Sequence, residues 1–195
     1  MSGVIIPRWE WRTFKEDLGS EGAKLLSHGE PMLKESKEVY VLSRKSNENT
    51  KIRDGLMDIK SLQAVNDDGL EQWRPIMKEQ FPITAENLMR LLSILQVSAP
   101  PNLKSEYTYD EFIEEIVKPH PDLEAVDVVK KRQGLIVNGC ITEFAMTEFN
   151  SVPLQTICVE QEDPELVMET VRKLKLDSFP NINYIAAMKR VVGLE

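Results

Sequence analysis

The stretch Thr50–Leu62 (Thr-Lys-Ile-Arg-Asp-Gly-Leu-Met-Asp-Ile-Lys-Ser-Leu) constrains this chain more than any other. Asp54-Gly55 is a two-residue hairpin signal, because a type I′ turn needs positive φ at both central positions. Such a turn pairs Arg53 with Leu56, Ile52 with Met57 and Lys51 with Asp58. Paired residues share a face, and faces alternate along each strand. One face then carries Ile52, Met57 and Ile59 and suits a core. The other carries Leu56 with Lys51, Arg53, Asp58 and Lys60, three cations and one acid on a rigid ribbon. A solvated outer face gives the same pattern, so the other strands must decide which way these charges point.

Those strands are numerous. Ile6–Phe14 alternates Trp9, Trp11 and Thr13 with Glu10, Arg12 and Phe14. Lys15–Ser27 has helical spacing at Leu18, Leu25 and Leu26, weakened by Gly19 and Gly22. Glu38–Arg44 is strand-like and ends in Arg44-Lys45. After the turn Asn66–Gly69, Leu70–Phe81 is strand-like again, and Pro75 places it at an edge or bulge. Thr84 is a helix N-cap for Glu86–Leu95, and Tyr109–Val117 is a short acidic helix. Three strands follow, Glu124–Val137, Cys140–Phe149 and Val152–Glu162, the first two joined by the hairpin signal Asn138-Gly139. Asp163 caps a helix with Pro164 in its first turn, and Asn183–Val192 is a last amphipathic helix. Eight strand-like segments, mostly hairpin-linked, imply an antiparallel sheet that can close into a barrel. The expected class is α+β: an eight-stranded antiparallel β-barrel with flanking helices, as a single domain over residues 1–195.

Composition narrows the function classes. A net charge of −8 argues against a partner such as long nucleic acid, which calls for a basic surface. No apolar run approaches membrane-spanning length, and Met1–Trp9 lacks the basic and apolar regions of a signal peptide, so the expectation is a soluble, cytoplasmic protein. Cys140 and Cys158 lie in separate strands and read as reduced core thiols. His28 and His120 have no partner at ligand spacing.

Several strands carry charge on one face. Lys130 and Arg132 share a face with Val128, Glu160 and Glu162 share one with Cys158 and Thr156, and Glu10 shares one with Arg12. Arg74 and Lys78 are a further pair. Charged alternating faces are often simply wet. Here, however, Val129, Ile157, Val159 and the Ile52/Met57/Ile59 face would pack well under helices. In a closed barrel with helices outside, the charged faces then point into the bore. Cations there suit phosphate oxygens. Carboxylates there suit Mg²⁺ or Mn²⁺ bridging those phosphates.

Four motifs in order complete this picture: Lys51-Ile52-Arg53 with Ile59-Lys60, then Val129-Lys130-Lys131-Arg132, then Val159-Glu160-Gln161-Glu162-Asp163, then Asn181-Ile182-Asn183-Tyr184. Together they resemble the CYTH, or triphosphate tunnel metalloenzyme, superfamily. The resemblance implies an eight-stranded tunnel whose cations grip a triphosphate and whose acids hold a divalent metal. It also implies hydrolysis of inorganic triphosphate, thiamine triphosphate or RNA 5′-triphosphate, or adenylate cyclisation. Carried over, Arg53, Lys60, Lys130 and Arg132 are phosphate ligands, and Arg12, Arg44, Lys51 and Arg74 are further candidates. Glu160 and Glu162 are metal ligands, with Glu10 and Glu143 as additional candidates, for Mg²⁺ or Mn²⁺. The expected partner is a small phosphate-rich substrate: triphosphate, polyphosphate or nucleotide. The family's first-strand signature Glu-x-Glu-x-Lys corresponds here to Glu10-Trp11-Arg12-Thr13-Phe14. Arg12 replaces a carboxylate and Phe14 replaces the lysine, which removes a ligand and adds a neighbouring cation. A phosphate-binding module with weak or lost catalysis is therefore the alternative reading.

Overall fold

A computed structural model describes residues 6–194. The expectation about Met1–Trp9 as a leader falls partly on residues 1–5, outside the described residues. The strands are β1 (Trp9–Lys15), β2 (Met32–Ser43), β3 (Asn49–Arg53), β4 (Leu56–Val65), β5 (Glu71–Gln80), β6 (Ile83–Thr84), β7 (Glu106–Tyr107), β8 (Leu123–Val137), β9 (Cys140–Phe149) and β10 (Val152–Gln161). The helices are α1 (Gly19–Leu26), α2 (Ala85–Ile94), α3 (Tyr109–Glu111, running on as a π-helix over Phe112–Val117), α4 (Pro164–Lys173) and α5 (Tyr184–Val192). Eight strands hydrogen-bond in the order β1-β10-β9-β8-β2-β3-β4-β5 and close on themselves, while β6 and β7 form a separate two-stranded sheet. The fold is the expected α+β barrel. No helix among the described residues is long and apolar enough to cross a membrane.

The chain divides into two compact units. Among the described residues, one comprises 6–36, 62–74 and 129–183, the other 37–61, 75–128 and 184–194. In the second unit the hairpin pairs as its sequence requires: Arg53 with Leu56, Ile52 with Met57, Lys51 with Asp58. Asp54 and Gly55 both take positive φ, 52° and 72°, and adding a Cβ at Gly55 would also crowd Gln80. Ile52, Met57 and Ile59 are buried in one core with Leu88, Leu91 and Leu92 of α2 and with Phe112 and Ile116 of α3. Thr84 starts α2 by accepting a hydrogen bond from the Asn87 N–H at 3.3 Å.

In the first unit β1 lies antiparallel to β10, pairing Glu10 with Glu160 and Arg12 with Cys158. Strand β10 pairs with β9, placing Cys158 opposite Glu143. Trp11, Phe144, Ile157 and Val159 form a core with Leu25 of α1 and with Val167 and Val171 of α4. Asp163 caps α4 by accepting from the Glu165 N–H at 2.9 Å. Lys51, Arg53 and Lys60 in the second unit, and Glu10, Arg12, Glu143 and Glu160 in the first, lie on the strand face opposite these helix-packed cores, the inner face of the barrel, whereas Val129 on β8 is half-buried and belongs to neither core.

Candidate functional site

In the first unit, strand pairing gathers Glu10, Arg12, Glu143, Thr156, Cys158 and Glu160 on the inner face, because residues directly across a ladder point the same way. The side chain of Arg12 is 7% exposed. Its Nε donates to Glu10 Oε1 at 2.7 Å, and its Nη1 donates to Thr156 Oγ1 at 3.3 Å. The same Nη1 is 3.7 Å from Glu143 Oε1. The backbone of Arg12 is clamped as well. Its N–H donates to Asn181 Oδ1 at 2.8 Å, and its carbonyl accepts from the Ile182 N–H at 2.6 Å.

Glu160 faces Arg8 Nη1 at 3.7 Å and accepts a weak bond from the Cys158 thiol at 3.6 Å. Burial, then the Glu10 charge, push its pKa up, with Arg12 pulling the other way. Burial holds the Cys158 thiol well above its ordinary pKa. Donor atoms of Glu10, Cys158 and Glu160 lie within 4.8 Å of one another, close enough to hold one metal ion. The two carboxylates fit a hard divalent ion, which takes one or two protein carboxylates beside water and phosphate. The protonated thiol does not add a hard ligand.

In the second unit, Lys51 sits opposite Tyr40 and Asp58, and Lys60 opposite Asn49. Arg53 Nη1 is 3.6 Å from the buried Glu38 carboxylate, to which the Tyr40 hydroxyl also donates at 3.3 Å. Burial lowers the Lys51 pKa, and Glu38 and Asp58 partly restore it. Tyr184 stacks on Tyr40 at 6.1 Å.

The other candidates are distributed as follows. On β8, Lys130 is buried and Lys131 is exposed. Arg132 donates to Ser36 Oγ at 3.1 Å, and its buried Nε meets no hydrogen-bonding group of the protein. Glu162 is exposed, one residue beyond the end of β10, and is not among the converging donors. Arg44 is exposed just past β2. Arg74 is exposed and falls three residues from Glu71, on the face opposite to it by strand alternation. Glu10 pairs across from Glu71.

Sequence reasoning missed two inner-face acids. Glu38 is one. Glu71 is the other: it accepts from Asn183 Nδ2 at 2.9 and 3.1 Å and from Trp73 Nε1 at 3.1 Å, and burial raises its pKa. The segment Asn181–Asn183 thus holds both the Arg12 backbone and the Glu71 carboxylate.

No family model matches the chain, and no curated protein matches it. Solved structures do. A candidate adenylyl cyclase from Hippeastrum, described as having a dominant triphosphatase activity, matches with TM-score 0.50 and 14% identity over 94% of this chain and 96% of that one. The PH1012 protein of Pyrococcus horikoshii OT3 matches with TM-score 0.50 and 16% identity over 91% of this chain and 97% of that one. At such identities the likeness is one of fold. The chain shares the fold of these two proteins, a closed eight-stranded antiparallel barrel with flanking helices.

Proposed function

We propose that this chain binds a triphosphate or polyphosphate and hydrolyses it with Mg²⁺ or Mn²⁺. One observation carries the reading: cations and acids occupy the strand face opposite the helix-packed cores, on both β3–β4 and β1–β9–β10. Lys51, Arg53 and Lys60 bind phosphate oxygens in the second unit, and Lys130 and Arg132 do so in the first. A fork such as that of Arg132 suits two oxygens at once. Glu10 and Glu160 would hold the metal, whose charge supports an in-line attack by water on phosphorus. The lysines and arginines meet the charge that develops on the leaving phosphate. Arg44, Arg74 and Glu162, exposed or off this face, are outside this set.

A second reading, a phosphate-binding module with weak catalysis, is favoured by the Arg12–Glu10 pair, which already neutralises one carboxylate. The test is phosphate release from inorganic tripolyphosphate, with and without Mg²⁺ or Mn²⁺, by wild type and Glu160→Gln. Metal-dependent release that the variant loses supports hydrolysis. Calorimetric binding of tripolyphosphate that survives chelation, without release, selects the binding module. Cyclic nucleotide and pyrophosphate formed from ATP would assign the chain to cyclisation instead. Absence of both binding and release overturns the phosphate reading altogether.

A further inference from the structure

Glu10, Glu143 and Glu160 project onto one face from three neighbouring strands, and a buried guanidinium stands among them. Arg12 is not a surface charge that happens to lie close. Asn181 accepts from its backbone N–H and Ile182 donates to its carbonyl, and Asn181 is itself tied to the Gly69 carbonyl at 2.6 Å. Its Nε takes the Glu10 oxygen at 2.7 Å, while Nη1 already points at Thr156 and Glu143. Three acids in a partly dehydrated site repel one another and need a cation, and the chain supplies one covalently.

We infer that Arg12 is the resident counter-ion of this acid cluster and competes with a divalent metal for Glu10. The inference rests on the reading that the metal of the proposed reaction binds at Glu10 and Glu160. A divalent ion at Glu10 meets a positive neighbour within hydrogen-bonding distance of the same carboxylate. It binds when Arg12 gives up Glu10 and retains Thr156 and Glu143, the two groups its Nη1 faces. Metal uptake is therefore coupled to a shift of one side chain, and the cost of that shift weakens apparent metal affinity. Arg12 acts through Glu10 and is a positioning residue.

The experiment is a titration of the metal-free full-length protein with Mn²⁺, followed by calorimetry and by the electron-spin signal of free Mn²⁺, with no phosphate compound present. Arg12→Gln removes the competing charge and should bind Mn²⁺ at least tenfold more tightly than wild type. Arg12→Lys keeps one cation without the fork and should gain less. Adding Glu160→Gln to Arg12→Gln should cancel the gain. A Mg²⁺ titration of wild type supplies a readout independent of the variants' folding: the Arg12 Nε–H resonance should move as the bond to Glu10 is lost. Arg12→Gln binding Mn²⁺ no more tightly than wild type overturns the inference, as does an unmoved Arg12 resonance at Mg²⁺ saturation. Tighter Mn²⁺ binding by Arg12→Gln in a protein that ignores tripolyphosphate keeps the inference and overturns the proposed function.

Discussion

Lys51 lies on a half-buried strand face, where burial lowers its pKa and the Glu38 and Asp58 charges only partly restore it. The sign follows from the charge type. A lysine with a lowered pKa loses its proton at a lower pH than an exposed one, so its grip on an anion fades earlier as pH rises. A bound polyphosphate favours the ammonium form, and binding should take up protons in that window. Tripolyphosphate affinity, measured by calorimetry, should therefore begin to fall at a pH below the ordinary lysine value of about 10.4. Lys51→Arg keeps its charge throughout and should flatten part of that fall. Identical pH profiles for wild type and Lys51→Arg would remove Lys51 from the phosphate ligands. Lys51, Arg53, Glu10, Glu143 and Glu160 were legible in the sequence because each alternates with apolar neighbours on a strand. Glu38 and Glu71 were not, because Lys34–Glu38 and Glu71-Gln72 are locally polar and give no alternation. Their phase was still available: each lies two residues before an aromatic inner-face partner, Tyr40 or Trp73. Glu162 lies one residue past the end of β10, where strand alternation no longer fixes the direction of a side chain.

At the scale of elements, two helices show how magnitude settles direction. Gly22 sits inside α1, where replacing glycine by alanine usually gains roughly 0.5–1 kcal/mol. Here a Cβ would lie 2.8 Å from three carbons of the Phe144 ring, which is packed in the core. Overpacking of that kind costs about 1–3 kcal/mol. The clash outweighs the propensity gain, and Gly22→Ala should be destabilised by about 1–2 kcal/mol in urea unfolding. A neutral or stabilised variant would mean that the Phe144 ring moves freely. Asp163→Ala removes the α4 cap and should cost about 1 kcal/mol by the same measurement, whereas Asp163→Asn should cost much less. Thr84 and Asp163 were readable as caps because a short oxygen-bearing side chain precedes a periodic apolar run. Strand β2 begins at Met32, six residues before the alternation that starts at Glu38, since its exposed first half carries no burial pattern. Tyr109–Val117 is legible as a helix, but its π-helical form over Phe112–Val117 and the two-residue strands β6 and β7 leave no periodic trace, because six and two residues are too few to show one.

At the scale of the whole molecule, the relevant fact is how the chain is shared. The strands β2, β4, β5 and β8 each have residues in both compact units, so backbone continuity rather than a linker joins the two cores. A strand cannot lose its ladder in one half without disturbing hydrogen bonds in the other, which predicts one cooperative transition. The aromatic residues provide separate probes. Trp9, Trp11 and Trp73 all lie in the first unit, while Tyr40, Tyr107, Tyr109 and Tyr184 all lie in the second. Leu91 is fully buried in the second unit's core, and Leu91→Ala should cost about 2–5 kcal/mol through lost burial and the cavity left behind. For a chain of this length that loss corresponds to roughly 5–15 °C in melting temperature. Tryptophan fluorescence reports only the first unit, yet it should shift by the same amount as far-ultraviolet circular dichroism. A tryptophan transition that stays at the wild-type temperature while circular dichroism becomes biphasic would show that the two cores melt separately. In that case the shared strands would not transmit stability between the halves.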